Sequence, residues 1–446
     1  MDGVTPESTH GVLGQWILAS GLPLVCDLNK SHASFLHDSK TGADFLDFFC
    51  FFASRPLGFN HPKLREAAFV ESLDRAARIK PSNCDIYTLE YADFTQAFAE
   101  KALQGLFRHV FFVEGGSPAV ENAVKAAIDW KHRKNMAAGR GEKGRQIVHF
   151  AQAFHGRTGY SLSLTDSHDP RKGQFYPKFS WPRITNPKMR FPFDADAEAA
   201  VVAAEQKALR DIHEAFDAHP DDIAAVIIEP IQGEGGDNYF RPEFLLALRQ
   251  ICDEREALLI FDEVQTGFGA TGAWWHWQNM GVQPDLMVFG KKTQVCGFAA
   301  TDRIDEVAGV FQVPSRISST FEGNLSDMVR CSRIIDVILE DELLANAAAM
   351  GQRLLDHLSA LQHECAALKS LRGQGLWVAF DLPDAQMRDA LLSACYAEHL
   401  LVLPCGERSV RLRPSLDVTA HEVDEGCARL DAAFTRMRRN GELTTS

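Results

Sequence analysis

What the 446-residue chain lacks narrows the field first. No two of its ten cysteines (Cys26, Cys50, Cys84, Cys252, Cys296, Cys331, Cys365, Cys395, Cys405, Cys427) stand in a C-x-x-C pair. Neither zinc-ligand spacing nor a compact disulfide framework is visible, so reduced thiols are expected. The histidines are dispersed and show no metal pattern, and no metal is expected. No run approaches the ~20 apolar residues needed to span a bilayer. Met1–Leu18 lacks the basic region and apolar stretch of a signal peptide. These absences predict a soluble, cytoplasmic protein with no membrane partner. Positive charge is also short: 46 Lys and Arg against 60 Asp and Glu leave a formal net charge of −14. Such an excess repels polyanions, so nucleic acid is not an expected partner, although a local basic pocket for a small anion remains compatible.

What is present is an alternation. His109–Val113, Ile147–Phe150, Ala224–Ile228, Leu258–Phe261 and Leu286–Phe289 read as buried strands, too short and too evenly apolar for surface helices. Helical stripes lie between them. One starts at Ser117, with Val120, Ala123, Val124, Ala127 and Ile128 on one face; Ser117 suits the N-cap and Pro118 the first turn. Another follows Pro242. This pattern predicts an α/β protein with a mostly parallel sheet, which binds ligands beyond the carboxyl ends of its strands. The flanks differ: Ser34–His37 and Asp44–Phe48 surround Thr41-Gly42, and a long helix from about Leu325 precedes strands near Leu376–Leu382 and Val410–Leu412. The expected division is a large domain over 66–320, with 1–65 and 321–446 joining in a smaller α+β domain.

Three strand ends carry unusual residues. Val113 leads into Glu114-Gly115-Gly116-Ser117 and a helix start, where free N–H groups and a positive dipole end suit a phosphate. Asp262 closes the next, placed to hold a protonated ring nitrogen. Gly290-Lys291-Lys292 follows the third and puts an amine at the ligand edge. Singly these read as a capped turn, an acidic cap and an exposed lysine. Together they match what pyridoxal 5'-phosphate requires.

The segments Val113–Ser117, Phe154-His155-Gly156-Arg157, Glu229–Gly236, Asp262–Gly267 and Gly290-Lys291 occur in order along the chain. With them the sequence resembles the class III (ω-amino) aminotransferases of fold-type I over essentially its whole length. The resemblance implies that Lys291 binds the cofactor covalently and that Lys292 is a bystander. It further implies that Gly116 and Ser117 hold the phosphate and that Asp262 pairs with the ring nitrogen. Phe154 and Val264 would cover the two ring faces, with Gln265 near the phenolic oxygen. Thr320 would reach the phosphate across a homodimer interface.

Within the class, four blocks are similar to the lysine 6-aminotransferase group: Val113–Ala123, Lys80–Asn83, Phe289–Gly297 and Gly323–Arg330. This implies transfer of the ε-amino group of L-lysine to 2-oxoglutarate. By the same resemblance Arg411 grips the acceptor carboxylate, Glu234 pairs with Arg411 when no carboxylate is there, and Arg157 takes the other carboxylate. A planar guanidinium suits bidentate carboxylate binding. One departure concerns the donor: Ser318-Ser319-Thr320 stands for the group's Asn-Ser-Thr, and Phe321-Glu322 for Trp-Gly. Ser318 is therefore a candidate substrate contact, and ornithine or another ω-amino acid is the alternative donor. A racemase or decarboxylating relative, and a homologue that binds without catalysis, are the remaining alternatives.

Overall fold

The computed structural model describes residues 3–443; the extreme ends of the expected small domain, 1–2 and 444–446, lie outside the described residues. Its centre is a seven-stranded sheet in the order His109–Val113, Cys296–Ala300, Leu286–Phe289, Leu258–Asp262, Ile223–Ile228, Gln146–Phe150, Arg183–Ile184. The last five pair in parallel, while Cys296–Ala300 runs antiparallel to both its neighbours. Val288 aligns with Asp262, and Phe261 with Ile228. Val113, Ile228, Asp262 and Phe289 therefore end at one edge, and Cys296 starts there. The sheet is α/β and mostly parallel, as the alternation of apolar runs predicts.

Both sheet faces are buried, which is why these strands read as continuous apolar runs. The helix Gly116–Ala137 covers one face with Ala119, Val120, Ala123, Val124, Ala127 and Trp130, which share a core with Phe111, Ile147, Ile227 and Val288. Pro242–Glu254 lies across the other, through Phe244, Leu245, Leu248 and Ile251. Two further sheets are built from the chain ends, and the first joins both of them. Phe35–His37, Asp44–Asp47 and Leu400–Leu401 form one, and the other runs Lys369–Gln374, Trp377–Asp381, Ser409–Leu412, Leu403–Cys405.

Two local expectations need correction. Ser117 is not the N-cap: the helix begins at Gly116, and Gly115, at φ +101°, occupies the cap. The long helix expected from Leu325 is two, Leu325–Glu340 and Leu343–Glu364, interrupted where Glu342 adopts a left-handed conformation. The segment Trp274–Trp277 is buried in the core. Buried Glu263 accepts the backbone N–H groups of His276 (2.8 Å) and Trp277 (2.7 Å), and Trp275 donates to the Ala102 carbonyl. No helix among the described residues is long and apolar enough to cross a membrane.

Candidate active site

A cavity of about 390 Å³ opens at the sheet edge where the strand ends converge. Gly116, Ser117, Phe154, Arg157, Asp262, Val264, Gln265 and Lys291 line it, together with His155, Gly156, Glu229 and Cys296. A volume of this size suits a small cofactor.

At one end the first turn of Gly116–Ala137 presents its unpaired N–H groups. The Ser117 hydroxyl lies 2.8 Å from that of Thr158 and accepts the backbone N–H groups of Arg157 and Thr158, each at 3.2 Å. Gly156 holds this corner open: its φ is +130°, and a Cβ there would run into the Ser117 and Ser161 hydroxyls. Only glycine meets both conditions. A phosphate fits this end, with no basic side chain required beyond the helix start.

The middle of the cavity is narrow. A Cβ on Gly116 would stand 3.3 Å from Val264 Cγ1, and one on Gly290 would stand 3.3 Å from the same atom and 3.0 Å from Cys296 Sγ. The absence of those methyls leaves room for a flat ring between Val264 and Phe154. Beneath lies Asp262, buried, its Oδ1 accepting from Val264 N at 3.1 Å. Its other oxygen meets His155 Nδ1 at 2.8 Å. A carboxylate so fixed can accept a hydrogen bond from a protonated ring nitrogen. The residues present thus fit pyridoxal phosphate at its phosphate and at its ring nitrogen.

Lys291 follows the strand at φ +54°, a conformation uncommon for a residue with a side chain. Burial lowers its amine from the ordinary lysine value to about 8, and the positive Arg411 beside it adds to the shift. Lys292 is fully buried and donates to the Ala53 carbonyl at 2.7 Å, while Gln294 donates to Ser54 O at 3.0 Å. Both bonds tie the lysine loop to the end of the turn Cys50–Ala53 and the Ser54 that follows it. Within that turn Phe51 and Phe52 are exposed.

Arg411, on the strand Ser409–Leu412, donates from Nη1 to Gln265 Oε1 at 3.1 Å; its buried Nε has no partner. Glu234 does not pair with it in this structure. Its Oε1 instead receives Lys172 Nζ and, at 3.0 Å, the Ser167 hydroxyl. Ser318 and Thr320 are exposed and do not line the cavity of their own chain. The Thr320 carbonyl accepts from Ser82 Oγ at 2.8 Å.

Two site residues were not singled out by sequence reasoning, although both lie in segments that carried the resemblance. His155 orients Asp262. Glu229 accepts the backbone N–H groups of Phe154 (2.8 Å) and Gly233 (3.1 Å), and so fixes the loops bearing Phe154 and Glu234. Burial, reinforced by the nearby negative Asp262, pushes its carboxyl well above the ordinary range.

Comparisons with known proteins cover nearly the whole chain. A family model described as aminotransferase class-III matches residues 18–434. An L-lysine-epsilon aminotransferase of Mycobacterium tuberculosis is 48% identical over 434 residues, covering 96% of each chain. One from Amycolatopsis lactamdurans is 47% identical over 436 residues, covering 97% of this chain and 96% of that one. A solved structure, lysine aminotransferase from M. tuberculosis in the internal aldimine form, superimposes with a TM-score of 0.95 at 47% identity, over 97% of this chain and 100% of that one.

Proposed function

The chain belongs to the aminotransferase class-III family, and from that premise we propose that it moves the ε-amino group of L-lysine to 2-oxoglutarate. The products are L-2-aminoadipate 6-semialdehyde, which cyclises to 1-piperideine 6-carboxylate, and L-glutamate. The enzyme is a pyridoxal-phosphate-dependent transaminase of fold-type I. The observation that carries the choice of donor is whole-chain identity of 45–48% to L-lysine-epsilon aminotransferases. Relatives whose names specify 4-aminobutyrate stand at 31%.

Bound in the cavity, pyridoxal phosphate supplies a carbonyl that takes the amine and a ring that accepts electrons from the substrate carbon. The chain's residues do the rest. The Lys291 amine, with its lowered proton affinity, attaches the cofactor and, once released, removes the proton from the ε-carbon of lysine. Asp262 holds the proton on the ring nitrogen, and His155 holds Asp262. Gly116 and Ser117 anchor the phosphate; Phe154 and Val264 confine the ring, and Gln265 lies at the phenolic side.

Arg411 receives the distal carboxylate of 2-oxoglutarate. With Glu234 set against it, the arginine is masked and the amine end of lysine enters; with Glu234 withdrawn, the arginine is bare. Arg157, exposed at the cavity rim, takes the remaining carboxylate, including the α-carboxylate of lysine. A homodimer with shared sites accounts for Thr320 and Ser318, which belong in this reading to the partner's cavity. Exposed Ile86, Tyr87 and Leu89, close in sequence to the Ser82 that bonds Thr320, support an interface there. The domain division proposed is 66–320 against 1–65 with 321–446. It is supported by a central sheet confined to residues 109–300 and by the pairing of Asp44–Asp47 with Leu400–Leu401. The proposed location is the cytoplasm.

A donor screen tests the reaction: L-lysine, L-ornithine and 4-aminobutyrate, each with 2-oxoglutarate, following glutamate and identifying the second product. Piperideine carboxylate from lysine supports the reading. Activity with ornithine and none with lysine refutes it and directs attention to Ser318 and Phe321-Glu322.

A further inference from the structure

Glu234 pairs with Lys172, while Arg411 bonds to Gln265 instead. Lys172 Nζ and Ser167 Oγ bond to its Oε1, and His168 Nδ1 stands 3.9 Å from the same atom. Its other oxygen, Oε2, is buried with no partner, as is Nε of Arg411. An unpaired carboxylate oxygen and an unpaired guanidinium nitrogen, both buried, are costly separately and relieve one another if brought together. Lys172 ends the short turn Pro170–Lys172, whose start is fixed by Asp169 accepting the backbone N–H of Arg171 at 3.1 Å. Its amine is 5.7 Å from the ring centre of Phe154, so it sits on the side of the cavity that Phe154 covers. Lys172 and Glu234 are both largely buried, with 21% and 15% of their side chains exposed, which protects their pairing from screening.

The geometry points to Lys172 as a specificity-determining positioning residue that competes with Arg411 for Glu234. While Lys172 holds the carboxylate, Arg411 is free to grip the carboxylate of the acceptor. When Glu234 swings to Arg411, the arginine is masked and the amine end of the donor is admitted. The relative pull of the two cations thus sets the balance between the acceptor-ready and donor-ready forms. The inference rests on the reading of Glu234 and Arg411 given above, and adds the residue that biases the exchange.

Removing the amine tips the balance one way only. In Lys172→Met, Glu234 loses its competing partner and settles on Arg411. The KM for 2-oxoglutarate rises roughly fivefold, the upper range of what a single ion pair of limited exposure contributes. The KM for L-lysine falls. A loss of structure would weaken both substrates together. Independently of turnover, calorimetric titration of the holoenzyme with glutarate, a dicarboxylate without a reactive carbonyl, shows a Kd weakened by the same factor. Lys172→Arg restores the wild-type values.

Glu234→Gln supplies the deciding background. With no carboxylate to compete for, adding Lys172→Met leaves glutarate affinity unchanged. If glutarate still weakens in that background, Lys172 contacts the ligand directly and the inference is overturned. Equal KM changes for both substrates, or none, overturn it as well. If the wild type forms no glutamate from lysine and 2-oxoglutarate, the functional reading itself is what fails.

Discussion

Asp262→Asn isolates the charge beneath the cofactor from its shape. The amide has nearly the volume of the carboxylate, but only one of its two heads accepts hydrogen bonds. In the wild type one oxygen accepts Val264 N at 3.1 Å and the other meets His155 Nδ1 at 2.8 Å, within a buried setting. The variant can keep the bond from Val264 N and must reverse the direction of the one to His155, and it loses the negative charge proposed to keep a proton on the ring nitrogen. A hydrogen bond to a charged group is worth ~1.5–3 kcal/mol net, and leaving a buried cation without its partner costs ~3–5 kcal/mol. Taking ~3–4 kcal/mol on the transition state, the chemical step slows by a factor of roughly 10²–10³. The assay is single-turnover reaction of the cofactor-loaded protein with excess L-lysine, with thermal melting to verify that the fold is kept. His155→Gln leaves the charge and removes only its orientation, so the expected loss is smaller, about tenfold, or ~1.4 kcal/mol. Asp262→Asn turning over within tenfold of the wild type, while properly loaded, refutes the assignment.

Three other outcomes follow from the same geometry. Lys291→Ala abolishes covalent attachment and turnover while the melting temperature stays close to that of the wild-type apoprotein; a variant that keeps the absorption band of the attached cofactor contradicts the role of Lys291. Attachment requires the neutral amine, whose proton affinity burial and then Arg411 lower to about 8. The rate of reconstitution from apoprotein therefore rises with pH through about 8 and levels off above it, and a flat profile across that value counts against the shift. Arg411→Ala raises the KM for 2-oxoglutarate by roughly 10²-fold, the ~3 kcal/mol of a charge-assisted bidentate contact at the top of its range, and moves the reconstitution inflection upward. Normal acceptor kinetics in that variant remove Arg411 from the acceptor site.

The central sheet was legible because burial on both faces leaves a simple mark. His109–Val113 and Leu286–Phe289 have the same bounds in sequence and structure, and Ile147–Phe150 differs by one residue. Arg183–Ile184 has no such mark, being two residues at the sheet margin, and Cys296–Ala300 is made largely of small residues with no run long enough to read. Helix ends fared less well. Ser117 has the chemistry of a cap, yet Gly115 takes the required dihedral, and the serine hydroxyl bonds instead with Arg157 and Thr158 at the corner of the cavity. Lys291 and Asp262 could be found because each closes a recognisable strand. His155 and Glu229 could not be given roles, since each acquires one only by meeting a residue far along the chain: Asp262 is 107 positions from His155, and Phe154 is 75 from Glu229.

Ion-pair choice was the least legible feature of the site, and the reason bears on how it works. A motif identifies Glu234 and Arg411 as residues that can pair, but which cation the carboxylate selects depends on distances set by three separate segments: the turn Pro170–Lys172, the loop after Ile228 and the strand Ser409–Leu412. The selection reaches beyond substrate entry, because Arg411 also lowers the proton affinity of Lys291. Any carboxylate laid on Arg411, whether from Glu234 or from the acceptor, offsets that positive field and lets the lysine amine hold a proton more firmly. On the proposed reading, a bare Arg411 favours the neutral amine that attaches the cofactor, and a covered one makes the amine a stronger base toward the substrate carbon. One arginine therefore couples recognition of the substrate's far end to the protonation state of the lysine at its reacting end.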